Sequence, residues 1–295
     1  MKVKMDWVAK ALAVTWLSVL PFAHSAAVKV ATPVELKYTG YTATSADGGA
    51  GKFGSGLEST FGAGYLTSIA REGNPADIFW QQGMNNEMIS FMIYGIADAS
   101  NISGGTQGQK LFNVGCTNAA FGCDGKIHLD FYLDKAVGGT NPGFAGTDGL
   151  KASDRTAFNR FGAMTDGVLL MSLTFDVGIV TEDDPTTAFD ERTATFFQDV
   201  SNITLPATGS GRFFASCVAG ILCPTFDTNG QNKGLSDFHA VNTLTAVDPN
   251  SGEGKNGWGG RNADPIASAM LLPEPGSVML MVLGLAGAGL ALRRR

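Results

Sequence analysis

Histidine is nearly missing from this chain, with His24, His128 and His239 the only three in 295 residues. Proton transfer or metal ligation by imidazole would therefore rest on His128 and His239, because His24 lies in an N-terminal apolar stretch. Basic residues are also in short supply, 21 against 27 acidic ones. Six of the basic residues and two of the acidic ones lie in the end segments 1–25 and 273–295, which leaves a body of net charge −10. A surface of that sign repels nucleic acid and anionic membranes and favours neutral glycans, cations or basic proteins. There is no G-x-S-x-G for a nucleophile elbow, since Ser210 stands between Gly209 and Gly211 only, and no Walker loop. No long segment repeats apolar residues every 3.6 positions, so helix is expected to be a minor component.

Long apolar runs are lacking as well. The clearest, residues 278–292, would extend about 22 Å as a helix, short of a hydrocarbon core of roughly 30 Å. Arg293, Arg294 and Arg295 follow it. Their long stems can reach the interface while the bilayer thins, and they place the C-terminus on the cytoplasmic side. At the other end, Lys2, Lys4 and Lys10 precede an apolar stretch over residues 11–23, interrupted by Thr15 and Ser18. Ala23 and Ser25 supply the small residues a signal peptidase requires. Residues 1–25 thus read as a cleaved secretory signal, cut before Ala26.

Together these ends resemble the PEP-CTERM proteins of Gram-negative bacteria. The resemblance rests on Pro273-Glu274-Pro275, a transmembrane helix over 277–292 and the arginine cluster 293–295, in that order. It covers about a tenth of the chain. It implies export, transient tethering in the inner membrane, cleavage by an exosortase, and delivery to the cell surface or an exopolysaccharide matrix. It assigns no activity to residues 26–272.

The cysteines fit an oxidising compartment. Cys116, Cys123, Cys217 and Cys223 allow three connectivities. Each close pair brackets a short Gly/Ala segment, so local pairing is the expectation, with bridges that contribute on the order of 2–3 kcal/mol each. Zinc is not indicated, because neither spacing is C-x₂-C.

Strands dominate the body. Residues 126–134 alternate Ile127, Leu129, Phe131 and Leu133 with His128, Asp130, Tyr132 and Asp134, a period of two that turns one row to a core and one to water. Residues 169–179 repeat the pattern, and 88–96 read as a central strand covered on both faces or lying on the inner side of a sandwich. Further strands are expected at 34–42, 64–69, 77–80, 193–197, 211–218 and 239–246, and a short helix capped by Asp154 over 154–161. With 39 glycines punctuating these runs, the expected class is all-β: an antiparallel β-sandwich, with a jelly roll or barrel as the alternative, and a C-terminal transmembrane helix. Residues from about 250 to 272, rich in Gly, Asn and charge up to Pro265, are expected to be a flexible spacer before the tail.

Candidate sites are few. His128 has Asp130 two positions on, and His239 follows Asp237. Glu87, Glu182, Asp183 and Asp184 are the carboxylates for an acidic pair of the glycosidase kind. Asp227 and Asn229 are the candidate Ca²⁺ ligands, although their loop lacks the glycine and glutamate an EF-hand needs. No other cofactor is expected. Trp80 reads as core, whereas Trp258, flanked by Gly257 and Gly259, sits where a loop could expose it to stack on a sugar, with simple loop packing as the alternative. The expected function is non-catalytic: a surface or matrix protein with a structural or adhesive role, whose partners are signal peptidase, exosortase and exopolysaccharide. The alternatives are a carbohydrate-active enzyme and a glycan-binding module.

Overall fold

The computed structural model describes residues 32–44, 58–101, 109–135, 150–200 and 208–272. Within them the chain forms β1 (Thr32–Thr44), β2 (Thr60–Arg71), β3 (Asn74–Gln81), β4 (Glu87–Asn101), β5 (Gln109–Gly115), β6 (His128–Lys135), β7 (Arg155–Ala157) and β8 (Arg160–Phe161). It continues with β9 (Val168–Asp176), β10 (Phe196–Val200), β11 (Thr208–Ala219), β12 (Phe238–Ala246) and β13 (Gly260–Leu271). Helix is confined to single turns, including α1 (Cys223–Phe226) and α2 (Gly252–Lys255). No helix among the described residues is long and apolar enough to cross a membrane. The secretory signal 1–25 and the tail 273–295 lie outside the described residues.

The strands close on themselves. Antiparallel pairings run β1–β2–β4–β6–β9–β11–β12–β13 and return to β1. The expected sandwich is therefore corrected to an eight-stranded up-and-down barrel, the alternative architecture. Closure removes the edges of the barrel itself, and β3, which pairs with β2 alone, is left at an edge beside it. The two long strands β4 and β11 span the full height. Between them β6 and β9 form the lower wall, while β5 and β10 pair with each other and with β4 and β11 to form the upper wall. Since β5 and β6 run the same way along β4, they amount to one strand broken by an excursion, and β9 and β10 form a second. The Cys116–Cys123 bridge lies in the first excursion, and Cys217–Cys223 ties the end of β11 to α1.

Alternation places the core inside. Leu129, Phe131, Met171, Leu173, Phe175, Phe213, Phe238 and Ala240 share one buried cluster. A second cluster covers the outer face of β1, β2 and β4, where Tyr41, Phe61, Met88, Met92 and Tyr94 pack under Ala152, Phe161, Met164 and Trp258. Two expectations fail here. Residues 154–161 form the β7–β8 ribbon rather than a helix, with Asp154 accepting from the Lys151 amide at 2.9 Å. Residues from about 250 are not a spacer, because β13 is an integral stave between β12 and β1. Its Ala267 and Ala269 face the core, and a barrel lacking it would be left with two open edges.

The outer cover is pinned by an ion pair. Arg155 grips Glu58 through two bonds of 2.7 and 3.0 Å, and both side chains are fully buried. Arg155 also donates to the Phe158 carbonyl at 2.6 Å and lies 4.5 Å from the Phe61 ring centre, while Glu58 accepts from the Gly95 amide at 2.9 Å.

Candidate functional site

An eight-stranded barrel is just wide enough to be filled by side chains or to hold one small molecule. Here small residues leave space. A cavity of about 360 Å³ runs from Leu36, Leu66 and Phe238 at mid-barrel to the rim at Thr60, Thr208 and Gly260. Leu and Phe are the commonest wall residues, and none of the described lining residues carries a charge. Gly211 lets the Asn242 and Phe196 side chains pack against β11, since a Cβ there would overlap the first and lie 2.9 Å from the second.

Polar groups form a belt in this wall. Asn113 comes from β5, Asn242 from β12, Asn262 from β13 and Tyr38 from β1. Asn113 and Asn242 are 1% and 6% exposed. The Oδ1 atoms of Asn113, Asn242 and Asn262 have no hydrogen-bond partner. Burial pushes the Tyr38 phenol up, and its bond from the Asn242 side chain opposes this only in part. These residues were missed in the sequence. The available signal was Asn242, a polar residue on the inward row Phe238, Ala240, Asn242 and Leu244; Asn262 fell within the supposed spacer.

The structure disperses the other candidates. Trp258 does not face solvent: it is 2% exposed, donates from Nε1 to the Leu150 carbonyl at 2.9 Å, and packs on Tyr41, Phe61 and Phe161. Gly257, at φ 85°, turns the chain after α2 so that the indole points inward. The glycan contact expected of Trp258 is thereby ruled out. Trp80 is buried. His128 pairs with Asp124 at 2.9 Å and stacks on Tyr94, not on Asp130. His239 rests on Phe214, and its pKa is lowered by burial and then by Arg212. Asp237 turns away from it to accept from the amides of Cys217, Thr228 and Asn229 at 2.9, 2.7 and 2.7 Å. Asp237 thus organises the loop holding Asp227 and Asn229, and no group of three His, Cys, Asp or Glu residues is placed to hold a metal among the described residues.

Buried carboxylates serve as braces. Asp130 accepts from Ser172 at 2.6 Å, Tyr94 at 2.9 Å and Tyr132 at 3.5 Å. Burial and the charge of Asp130 push the Tyr132 phenol up to about 12. In the excursion after β9, Glu191 accepts from Thr187 at 2.6 Å and from the Asp184 amide at 2.9 Å, which lowers its pKa to about 2. Asp183 lies 3.9 Å from Arg192, while Glu87 opens β4 at the opposite end from the rim. These carboxylates do not converge on the chamber.

Asp134 is less well served. The Ser90 hydroxyl lies 3.2 Å from it but only 2.6 Å from the Met164 carbonyl, and has one proton to give. Burial, then the charge of Asp166, raises the Asp134 pKa to about 6. The folded protein therefore binds this proton more tightly than the unfolded chain, and the contribution of Asp134 to stability falls as pH rises from about 4 to about 6. Urea titrations at pH 4.5 and 7.5 should show Asp134→Asn gaining about 1–2 kcal/mol on the wild type at the higher pH, after allowance for screening by water. An unchanged difference between the two pH values would refute the assignment.

Residues 272–295 match the model of the PEP-CTERM protein-sorting motif. No curated protein and no solved structure matches the chain. The motif supports sorting by an exosortase and export to the surface or the extracellular space.

Proposed function

We propose that the exported body is a non-catalytic barrel that holds a small, mostly apolar molecule at the cell surface or in the exopolysaccharide matrix. The observation that carries this reading is the 360 Å³ uncharged chamber inside a closed barrel, at the lower end of the roughly 300–1,000 Å³ range of small-molecule pockets. Apolar walls release water on binding, and a pre-formed barrel loses little conformational freedom. Oligosaccharides, whose surfaces are hydroxyl-rich, match such walls poorly. The carboxylates favour a non-enzymatic role, because Glu58, Asp130, Glu191 and Asp237 hold straps and loops to the barrel.

A structural or adhesive role is the second reading, favoured by the same bracing: the ion-paired outer cover and two disulfides make a stiff, acidic building block. In both readings the tail tethers the chain in the inner membrane until exosortase cleaves it. The test is a titration of the exported protein, purified after its natural processing, with the fluorophore N-phenyl-1-naphthylamine. Saturable one-to-one enhancement is expected of a chamber, and a purely structural block would give none.

A further inference from the structure

We infer that, while the chain is tethered, the barrel rests on the lipid surface of the membrane through an apolar patch at the end opposite the chamber mouth. The inference rests on the tether reading and adds a contact that the tail itself does not supply. The five most exposed large apolar side chains among the described residues are Leu235, Ile221, Val168, Val177 and Val218, each more than half exposed. They gather around the pairing of β9 with the last part of β11. The Ile221 amide donates to the Leu169 carbonyl at 3.4 Å, next to Val168. The Ser216 hydroxyl, bonded to Asp176 at 2.6 Å and two residues before Val218, lies 3.5 Å from the Leu235 carbonyl. Asn232 donates from Nδ2 to the Val177 carbonyl at 3.1 Å, which ties the loop of Leu235 to the end of β9. The Cys217–Cys223 bridge clamps the turn that carries Val218 and Ile221.

Exposed apolar clusters of this kind mark interaction surfaces. What covers this one is set by where the chain leaves the body. Strands β11 and β13 start at the rim, at Thr208 and Gly260, and run to the patch end. There the Leu272 amide donates to the Thr225 carbonyl of α1 at 2.8 Å, just past the bridge. Only residues 273–276 separate Leu272 from the segment assigned to the membrane, a reach of about 14 Å when fully extended. A linker that short holds the lipid surface at an effective concentration of roughly millimolar, so a modest apolar contact is enough. The body charge of −10 disfavours anionic headgroups. The contact is therefore apolar, with side chains entering the boundary between headgroups and acyl chains. The chamber mouth, at the other end of β11 and β13, then faces away from the bilayer.

The experiment places the unprocessed exported chain, purified from cells lacking exosortase, in phosphatidylcholine vesicles whose acyl chains carry bromine, a contact quencher of tryptophan. Emission is read relative to the wild type, which supplies the background of Trp80 and Trp258. Against unbrominated vesicles, Ile221→Trp is expected to lose most of its added emission. Thr243→Trp, exposed on β12 toward the rim, should lose none. Leu235→Trp gives the same readout if Ile221→Trp does not fold. Equal emission from Ile221→Trp in both kinds of vesicle, in chain that floats with them, would overturn the inference and leave the tether standing. A blue shift on concentrating the protein, without quenching by lipid, would assign the patch to a second copy and overturn it as well. If the chain does not float with the vesicles, the tether reading fails, and the inference fails with it.

Discussion

Arg155→Met is expected to destabilise the body by about 3–5 kcal/mol, the usual consequence of removing one partner of a fully buried ion pair. The loss comes mainly from what remains. Glu58 would lose both guanidinium bonds in a site with no exposure. The Phe158 carbonyl would lose a donor and the Phe61 ring its cation. Because Arg155 sits in β7 and Glu58 just before β2, the same change detaches the outer cover from the barrel. The double variant Glu58→Met, Arg155→Met should regain part of the stability, since it leaves no unpaired charge. Equilibrium urea unfolding of the three proteins measures both effects, and a single variant within 0.5 kcal/mol of wild type would contradict the role given to the pair.

Trp258→Ala should cost a comparable amount, about 3–5 kcal/mol, the range for truncating a large buried aromatic. The indole fills the space between Tyr41, Phe61 and Phe161 and satisfies the Leu150 carbonyl. Its removal opens a void beneath the cover. An exposed sugar-stacking tryptophan would behave differently: its loss would leave stability unchanged and weaken polysaccharide retention. Urea unfolding and a retention assay on the same variant separate the two cases.

Much of the barrel wall was readable as strands. Alternation identified β6 and β9 because one face of each is apolar and the other carries Asp130, Ser172 and Thr174. What alternation does not encode is which strand pairs with which, so the joining of β2 to β4, which turns a sheet into a barrel, was out of reach. Residues 250–272 misled for a physical reason. Asn262 faces the chamber and small alanines carry the core side of β13, so a buried stave has the composition of a linker. Trp258 misled similarly: flanking glycines were read as signs of an exposed loop, yet Gly257 is the bend that buries the ring. The sorting tail was legible because its three parts are local in sequence. The chamber was not, since its lining comes from ten strands that are adjacent only after closure.

The most direct test of the ligand-holding barrel is the N-phenyl-1-naphthylamine titration run on the wild type beside Ala267→Phe, which puts a ring into the chamber from β13. Overpacking of this kind costs about 1–3 kcal/mol and leaves a stable domain folded. The account predicts saturable one-to-one binding to the wild type and affinity at least tenfold weaker in the folded variant. No saturable binding to the wild type, or equal binding to both, would contradict it.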